Sequence, residues 1–222
     1  MYIPTIGLEI HVGLKTKTKM FCACPNDSSE RHPNVNVCPI CLGHPGTLPT
    51  INKSAVEAVL KLGFALKGKI AEHTFFDRKS YFYPDLPKGY QISQYEHPLV
   101  EGGVLNGVRI RRVHLEEDAG RLVHGEGASL VDFNRAGTPL MELVTEPDIK
   151  NAEEAVVFAR NLQRTLRYLE ISDADMEHGE MRVEANISVR KDSADTLGVK
   201  VEVKNINSFK AVHDAIQYEL TR

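Results

Sequence analysis

The sequence predicts a mixed α and β domain, on three observations. Apolar residues alternate from Thr5 to Leu14, three segments carry helical stripes, and two alternating runs after Met181 are spaced as a hairpin. At 222 residues and 42% hydrophobic content, the chain can form one large or two small globular domains with a sizeable core. A net charge of -3 argues against a protein that coats nucleic acid by bulk electrostatics. No apolar run approaches the roughly eighteen residues needed to span a bilayer, and no targeting segment precedes the first strand, so the chain reads as cytoplasmic, without membrane attachment.

Met1-Tyr2-Ile3-Pro4 leads into a half-buried strand in which Ile6, Leu8, Ile10, Val12 and Leu14 share one face, leaving Glu9 and His11 together on the other. After a cysteine cluster, Gly43-His44-Pro45-Gly46 reads as a tight turn. The first helix has Ser54 and Glu57 as a capping box, a stripe through Val56, Val59, Leu60 and Leu66, and Gly68 as its stop. From Phe75 to Glu101 runs an aromatic, proline-punctuated segment that is neither helix nor regular strand; a binding loop and a packed structural loop fit it equally.

Val108 to Asp118 starts as a strand and ends in Glu116, Glu117 and Asp118, whose charges repel unless cations sit nearby. The strip Arg109, Arg111 and Arg112 reads as a solvated strand face in preference to a phosphate contact. A second helix spans about Asn151 to Leu169, capped by Asn151 with Glu154, its apolar side formed by Ala155, Phe158, Leu162, Leu166 and Leu169. In the hairpin, Met181, Val183, Ala185, Ile187 and Val189 oppose Arg182, Glu184, Asn186, Ser188 and Arg190, and Val199, Val201 and Val203 alternate with Lys200, Glu202 and Lys204. A third helix begins near Ser208 and reaches Arg222 without a C-cap, so the chain reads as a fragment of something longer.

Four cysteines, in the pairs Cys22-x-Cys24 and Cys38-Pro39-Ile40-Cys41 separated by thirteen residues, have the spacing of a tetrahedral thiolate cage with Zn–S distances of about 2.3 Å. Two disulfides need an oxidising compartment, and a redox pair at Cys38 and Cys41 leaves Cys22 and Cys24 without a purpose; a structural zinc knuckle over about residues 21–42 accounts for all four. Glu9, His11, Glu116 to Asp118, Glu184 and Glu202 lie on polar strand faces. If those strands share a sheet, the faces converge into a hard-cation site for Mg2+, with Arg182, Arg190, Lys200 and Lys204 placed to clamp a triphosphate. Taken one at a time, each carboxylate is better explained by pairing with a neighbouring Lys or Arg across the strands; their number on separate strands is what supports a site. The sequence contains neither a P-loop, nor a dinucleotide-binding glycine fingerprint, nor a Gly-x-Ser-x-Gly elbow.

Several long motifs resemble the GatB family, the B subunits of glutamyl-tRNA(Gln)/aspartyl-tRNA(Asn) amidotransferases. They are Ile6-Gly7-Leu8-Glu9-Ile10-His11-Val12, the cysteine cluster, Asp77-Arg78-Lys79-Ser80-Tyr81-Phe82-Tyr83-Pro84-Asp85-Leu86-Pro87-Lys88-Gly89-Tyr90-Gln91-Ile92-Ser93-Gln94, His114-Leu115-Glu116-Glu117-Asp118-Ala119-Gly120, Asp132-Phe133-Asn134-Arg135-Ala136-Gly137-Thr138-Pro139-Leu140 and Ala185-Asn186-Ile187-Ser188. The resemblance implies an α+β domain of the glutamine synthetase-like cradle type, built on an antiparallel sheet and incomplete at its C-terminus. It implies that the helical and tail domains of the family are missing, since its members are about twice this length.

It also implies a chemistry. Such proteins use Mg-ATP to phosphorylate the side-chain carboxylate of Glu or Asp misacylated on tRNA; ammonia from an amidase A subunit, tied on by a small C subunit, then displaces the phosphate. The family's acidic metal site carries over onto Glu9, His11, Glu116, Glu117, Glu184 and Glu202, with His11, Glu117 and Glu184 as the catalytic set. Where Glu184 stands, some relatives have aspartate. Arg78, Lys79, Tyr81, Tyr83, Lys88, Tyr90 and Arg182 are the expected substrate contacts. Two other classes stay open: a zinc-knuckle RNA-binding module without catalysis, in which the aromatic segment stacks on bases, and a small-molecule ATP-dependent amide ligase.

Overall fold

Alternation over Tyr2–Gly13 builds β1, an interior strand paired antiparallel on both sides. The computed structural model describes residues 2–194 and 196–222. Met1 and Asp195 lie outside the described residues. Along the chain follow α1 (Lys53–Ala65), β2 (Lys69–Ile70), β3 (Asp77–Ser80), β4 (Tyr90–Ser93), β5 (Val100–Glu101), β6 (Val104–Leu105) and β7 (Val108–Glu117). The rest are β8 (Arg121–Gly125), β9 (Ala128–Asp132), β10 (Pro139–Thr145), α2 (Ala152–Tyr168), β11 (Met181–Lys191), β12 (Val201–Ile206) and α3 (Phe209–Thr221).

One sheet runs β12-β11-β1-β10-β7-β4-β3, with β5 and β6 also on β7 and β2 on β5; β8 and β9 form a separate hairpin. Every pairing is antiparallel. Register aligns Leu8 with Ala185, Ile10 with Val183 and Leu143, and Leu143 with Val113, so one apolar face is continuous across four strands. All three helices cover it: α1 packs on β7 and α3 on β11 and α2, and Val59, Leu62, Phe158, Leu162, Val212 and Ile216 join one core with the strand residues. A mixed domain on an antiparallel sheet is thus observed. Among the described residues the opposite face carries no helix, so polar residues on every second position are free to converge there.

The sequence reading needs four corrections. Helix α1 is capped by Asn52, whose Oδ1 accepts from Ser54 N at 2.9 Å and Ala55 N at 3.4 Å, and Ser54 lies inside the helix. The left-handed residue that ends α1 is Lys67, with φ +56°, and Gly68 is needed for space instead, because a Cβ there would sit 2.5 Å from Val100 Cγ1. Part of the segment from Phe75 to Glu101 is regular: β3 and β4 pair from Asp77↔Ser93 to Ser80↔Tyr90 around a long loop. Val199 stands outside β12 and is 90% exposed. Asn151 caps α2 as expected, its Oδ1 accepting from Glu154 N while Glu154 accepts from Asn151 Nδ2 and Lys150 N, and α3 starts at Ser208 as expected, with the Ser208 hydroxyl accepting from Ala211 N.

Asn52 also ties α1 to the segment entering the cysteine cluster, donating to Thr18 O at 3.0 Å and Lys19 O at 3.1 Å. Asn52→Ala should therefore destabilise the fold by about 1–2 kcal/mol, the upper range for a lost cap. Ser54→Ala, on the exposed face, should stay within about 0.5 kcal/mol of the unmodified chain. Urea unfolding of the two variants measures the difference.

Candidate active site

Four strands place a row of side chains across the polar face. Register sets His114 opposite Glu142, Glu142 opposite His11 and His11 opposite Arg182, so β7, β10, β1 and β11 each contribute one residue. His11 Nε2 lies 3.3 Å from Glu142 Oε2 and 3.4 Å from Glu116 Oε1. His114 Nε2 stands 3.8 Å from Glu142, and Arg112 reaches Glu142 Oε1 at 3.3 Å. At the end of the row Arg182 binds Asp118 Oδ1 at 3.0 Å, and Arg135 holds Asp118 Oδ2 at 3.3 Å.

The carboxylates here are buried, and burial alone would hold them neutral. In Glu142 that cost is outweighed by the His11 hydrogen bond and by the charges of His114, His11 and Arg112, which bring its pKa down to about 2. For His11 burial opposes the charged ring, but the hydrogen bond to Glu142 and the charges of Glu116 and Glu142 raise its pKa above 6.5. Each charge is thus stabilised by the other. His11, Glu116 and Glu142 offer ligand atoms within 4.8 Å of one another, and so do Glu9, Glu184 and Glu202.

In the second cluster Glu9 stands directly opposite Glu184, a like-charge pair that is destabilising without a cation. Lys204 binds Glu184 at 2.9 Å and Glu202 at 3.3 Å, while Asn186 donates to Glu9 at 3.0 Å and leaves its buried Oδ1 without a partner. Carboxylates, one imidazole and an orphaned amide oxygen are donors suited to a hard cation. Glu142 is absent from the sequence reading. Its signal was present: a single carboxylate in the otherwise uncharged run Pro139–Thr145, all of whose residues are buried.

Beside the row lies an open groove of about 340 Å³ lined by His11, Asp118, Arg182, Glu184, Lys79 and Tyr81, among others. This brings together part of the expected substrate set. Arg78 instead stacks over Tyr90 at 5.1 Å, because neighbours along β3 point to opposite sides, and Lys88, in the loop before β4, lies 5.7 Å from the same ring. Tyr83 packs beside Tyr81 with ring centroids 6.1 Å apart and does not line the groove.

Glu117 is the main departure. Following Glu116 on one strand, it must point to the other face, where both its oxygens are bound by the Lys88 ammonium and Ile92 N donates at 3.0 Å. The expectation that it joins His11 and Glu184 does not hold in this geometry. It lies instead beside the cysteines: a cavity of about 60 Å³ is lined by Glu117, Lys88, Cys22 and Cys41. Gly137 sits between Glu117 and Cys41 with φ +83°, a left-handed backbone that favours glycine, and a Cβ there would touch Cys41 Cβ at 3.4 Å and Glu117 Oε2 at 3.7 Å.

The Sγ atoms of Cys22, Cys24, Cys38 and Cys41 all lie within 4.8 Å of one another, and none is in a disulfide. Cys38 N donates to Cys41 Sγ at 3.2 Å. Hydrogen bonding from Cys22 brings the Cys41 thiol down to about 4, while Cys22 moves up for the same reason and burial takes Cys24 up to about 11. One thiolate forms at the expense of its neighbours, so four together require a cation. Four soft donors closed around one point fit a structural metal ion.

In metal-free protein, His11 should titrate above 6.5 by NMR, and Glu142→Gln should lower that value by removing the hydrogen bond that opposes burial. The His11 contribution to stability is complete below 6.5, the unfolded value, and is lost as pH rises through the folded value. The Glu142 contribution is present above 4.5 and is lost as pH falls through about 2. A His11 titration unchanged by Glu142→Gln would contradict the pairing.

A family model described as the GatB/GatE catalytic domain matches residues 4–222. A Thermus thermophilus protein, named as the B subunit of an aspartyl/glutamyl-tRNA(Asn/Gln) amidotransferase, is 54% identical over 226 aligned residues, which cover 100% of this chain and 48% of that relative. Proteins of the same name from Thermodesulfovibrio yellowstonii and Persephonella marina are 52% and 51% identical, over 100% and 99% of this chain and 48% of each relative. The chain spans about half the length of the curated relatives it matches. Among the described residues no helix is long and apolar enough to cross a membrane. With nearly every residue inside the family model and identity above one half to each of these relatives, the chain belongs to the GatB/GatE catalytic domain family.

Proposed function

We propose that the chain is the catalytic part of the B subunit of a tRNA-dependent amidotransferase, a carbon–nitrogen ligase that takes its amide nitrogen from glutamine. ATP phosphorylates the side-chain carboxylate of Glu on tRNA(Gln) or Asp on tRNA(Asn), releasing ADP. Ammonia then attacks the acyl carbon and phosphate leaves with the C–O bonding pair. The relatives' shared name supports the aminoacyl-tRNA substrate. On this chain, the supporting observation is the set His11, Glu116 and Glu142 at one side of a groove that also holds Arg182, Lys79 and Lys204.

His11, Glu116 and Glu142, or Glu9, Glu184 and Glu202, would hold Mg2+, which would supply charge neutralisation to the transferring phosphoryl group. Arg182, fixed in place by Asp118, presents a second cation to the same groove, and Lys79 and Lys204 extend it. Tyr81, 52% exposed beside the groove, offers a ring on which a terminal base stacks. Glu117 and Lys88 neutralise each other behind the sheet and are assigned to support of the cysteine cluster. That cluster takes Zn2+, one per chain, at Cys22, Cys24, Cys38 and Cys41.

With all four cysteines assigned to the knuckle, no cysteine nucleophile is left for glutamine hydrolysis here, which agrees with the family resemblance, by which an amidase A subunit held by a small C subunit supplies the ammonia. Residues 1–222 then form a glutamine synthetase-like cradle, and the rest of the relatives' length holds the helical and tail domains that grip tRNA. Such chemistry belongs in the cytoplasm, where aminoacyl-tRNA is consumed.

The test uses the full-length protein assembled with its partners. His11→Ala and Glu142→Gln should each lower amidation of misacylated tRNA at least about tenfold, even with ammonium chloride as nitrogen donor. Release of ammonia from glutamine should continue at the unmodified rate. Folded, zinc-loaded variants that amidate at the unmodified rate would return the row to a structural role.

A further inference from the structure

Lys19 is fully enclosed, at 0% exposure, and heads the largest side chains buried in the core. Lysine is almost never buried in this way without an anion to pair with. Among the described residues no carboxylate forms an ion pair with it. Its Nζ lies 3.8 Å from Cys41 Sγ and 3.3 Å from Phe133 O, and its Cδ would lie 3.8 Å from a Cβ placed on Gly137. Lys88, also close to the cysteines, is taken up by both oxygens of Glu117. Among the described residues, the sulfur of Cys41 is therefore the one atom within hydrogen-bond reach of Lys19 Nζ that can carry a balancing charge.

A divalent ion in four thiolates has a net charge of minus two, which is costly to enclose. We propose that Lys19 is the built-in counter-charge of the tetrathiolate centre, its ammonium donating to the Cys41 sulfur and thereby raising the affinity of the four cysteines for Zn2+. The inference rests on the metal reading of those cysteines. Lys19 touches no ion itself and acts through Cys41, so it is a positioning residue. Its second bond, to Phe133 O, keeps the head group from turning toward solvent.

Zinc competition against a chromophoric chelator, on the full-length protein, tests the proposal. Lys19→Met and Lys19→Gln should each weaken zinc binding by about 10–100-fold, the range for partners behind the first ligands, while Lys19→Arg should stay near the unmodified value. The cobalt-substituted forms should keep the thiolate-to-metal absorption of a tetrahedral site, which shows that all four ligands survive. Equal affinity of Lys19→Gln and Lys19→Arg overturns the inference and leaves Lys19 as packing; should Lys19→Met fail to fold, this pair still decides. An unmodified protein that binds no zinc under reducing conditions overturns the metal reading, and the inference with it.

Discussion

Neighbouring residues on a strand point to opposite faces, and the polar half of this molecule depends on that constraint. At the end of β7 it separates two adjacent glutamates completely. Glu116 goes to the helix-free face and joins His11 and Glu142, while Glu117 goes to the side of Leu115 and pairs with Lys88 beside the cysteines. The same rule sends Lys79 and Tyr81 to the groove and Arg78 to Tyr90. Because α1, α2 and α3 all cover one face, the sheet divides an apolar interior from a polar face across β11, β1, β10 and most of β7.

Charge balance then decides which carboxylates can be so buried. Glu116, Glu117 and Glu142 are each at most 8% exposed, and each has a cation or imidazole within 4.0 Å. Glu142 is the most constrained, between His11, His114 and Arg112. The pair Glu9 and Glu184 differs: it is only half-buried, has Lys204 on Glu184 but not on Glu9, and sits beside an amide oxygen with no donor. An RNA-binding module needs cations facing its ligand and has no use for such sites. The buried carboxylates are better matched to a cation that meets phosphate, which favours the amidotransferase reading over the binding module.

Much of this was legible in the sequence, where the signal is local. Period-two alternation placed β1 and β11 and the shared face of Glu9 and His11, and Asn151 and Ser208 announced their helices through side-chain acceptors at fixed spacing. The cysteine pairs gave their own cluster. What stayed hidden depends on distant pairing. Glu142 is part of the row only because β10 lies between β1 and β7, an arrangement that no local pattern states. Ser54 and Asn52 are both good caps, and the choice fell to Asn52 because Thr18 and Lys19 lie within reach of its amide. The Glu116–Glu117 split was derivable from alternation, but reading the acidic run as one unit concealed it.

The two polar centres are joined through residues 133–138. Phe133 O accepts from Lys19 and Arg135 holds Asp118, while Gly137 fits between Cys41 and Glu117, with its N–H on Asp118 O at 2.9 Å and its carbonyl accepting Met20 N at 2.8 Å. Asp118 in turn fixes Arg182 in the groove. A chain of contacts therefore runs from Cys41 to Gly137, from the Gly137 N–H to Asp118 O, and from the Asp118 carboxylate to Arg182 in the groove. The position of a groove cation is thus tied to the cysteine cluster through one backbone hydrogen bond and one ion pair, with no charge placed in the apolar core.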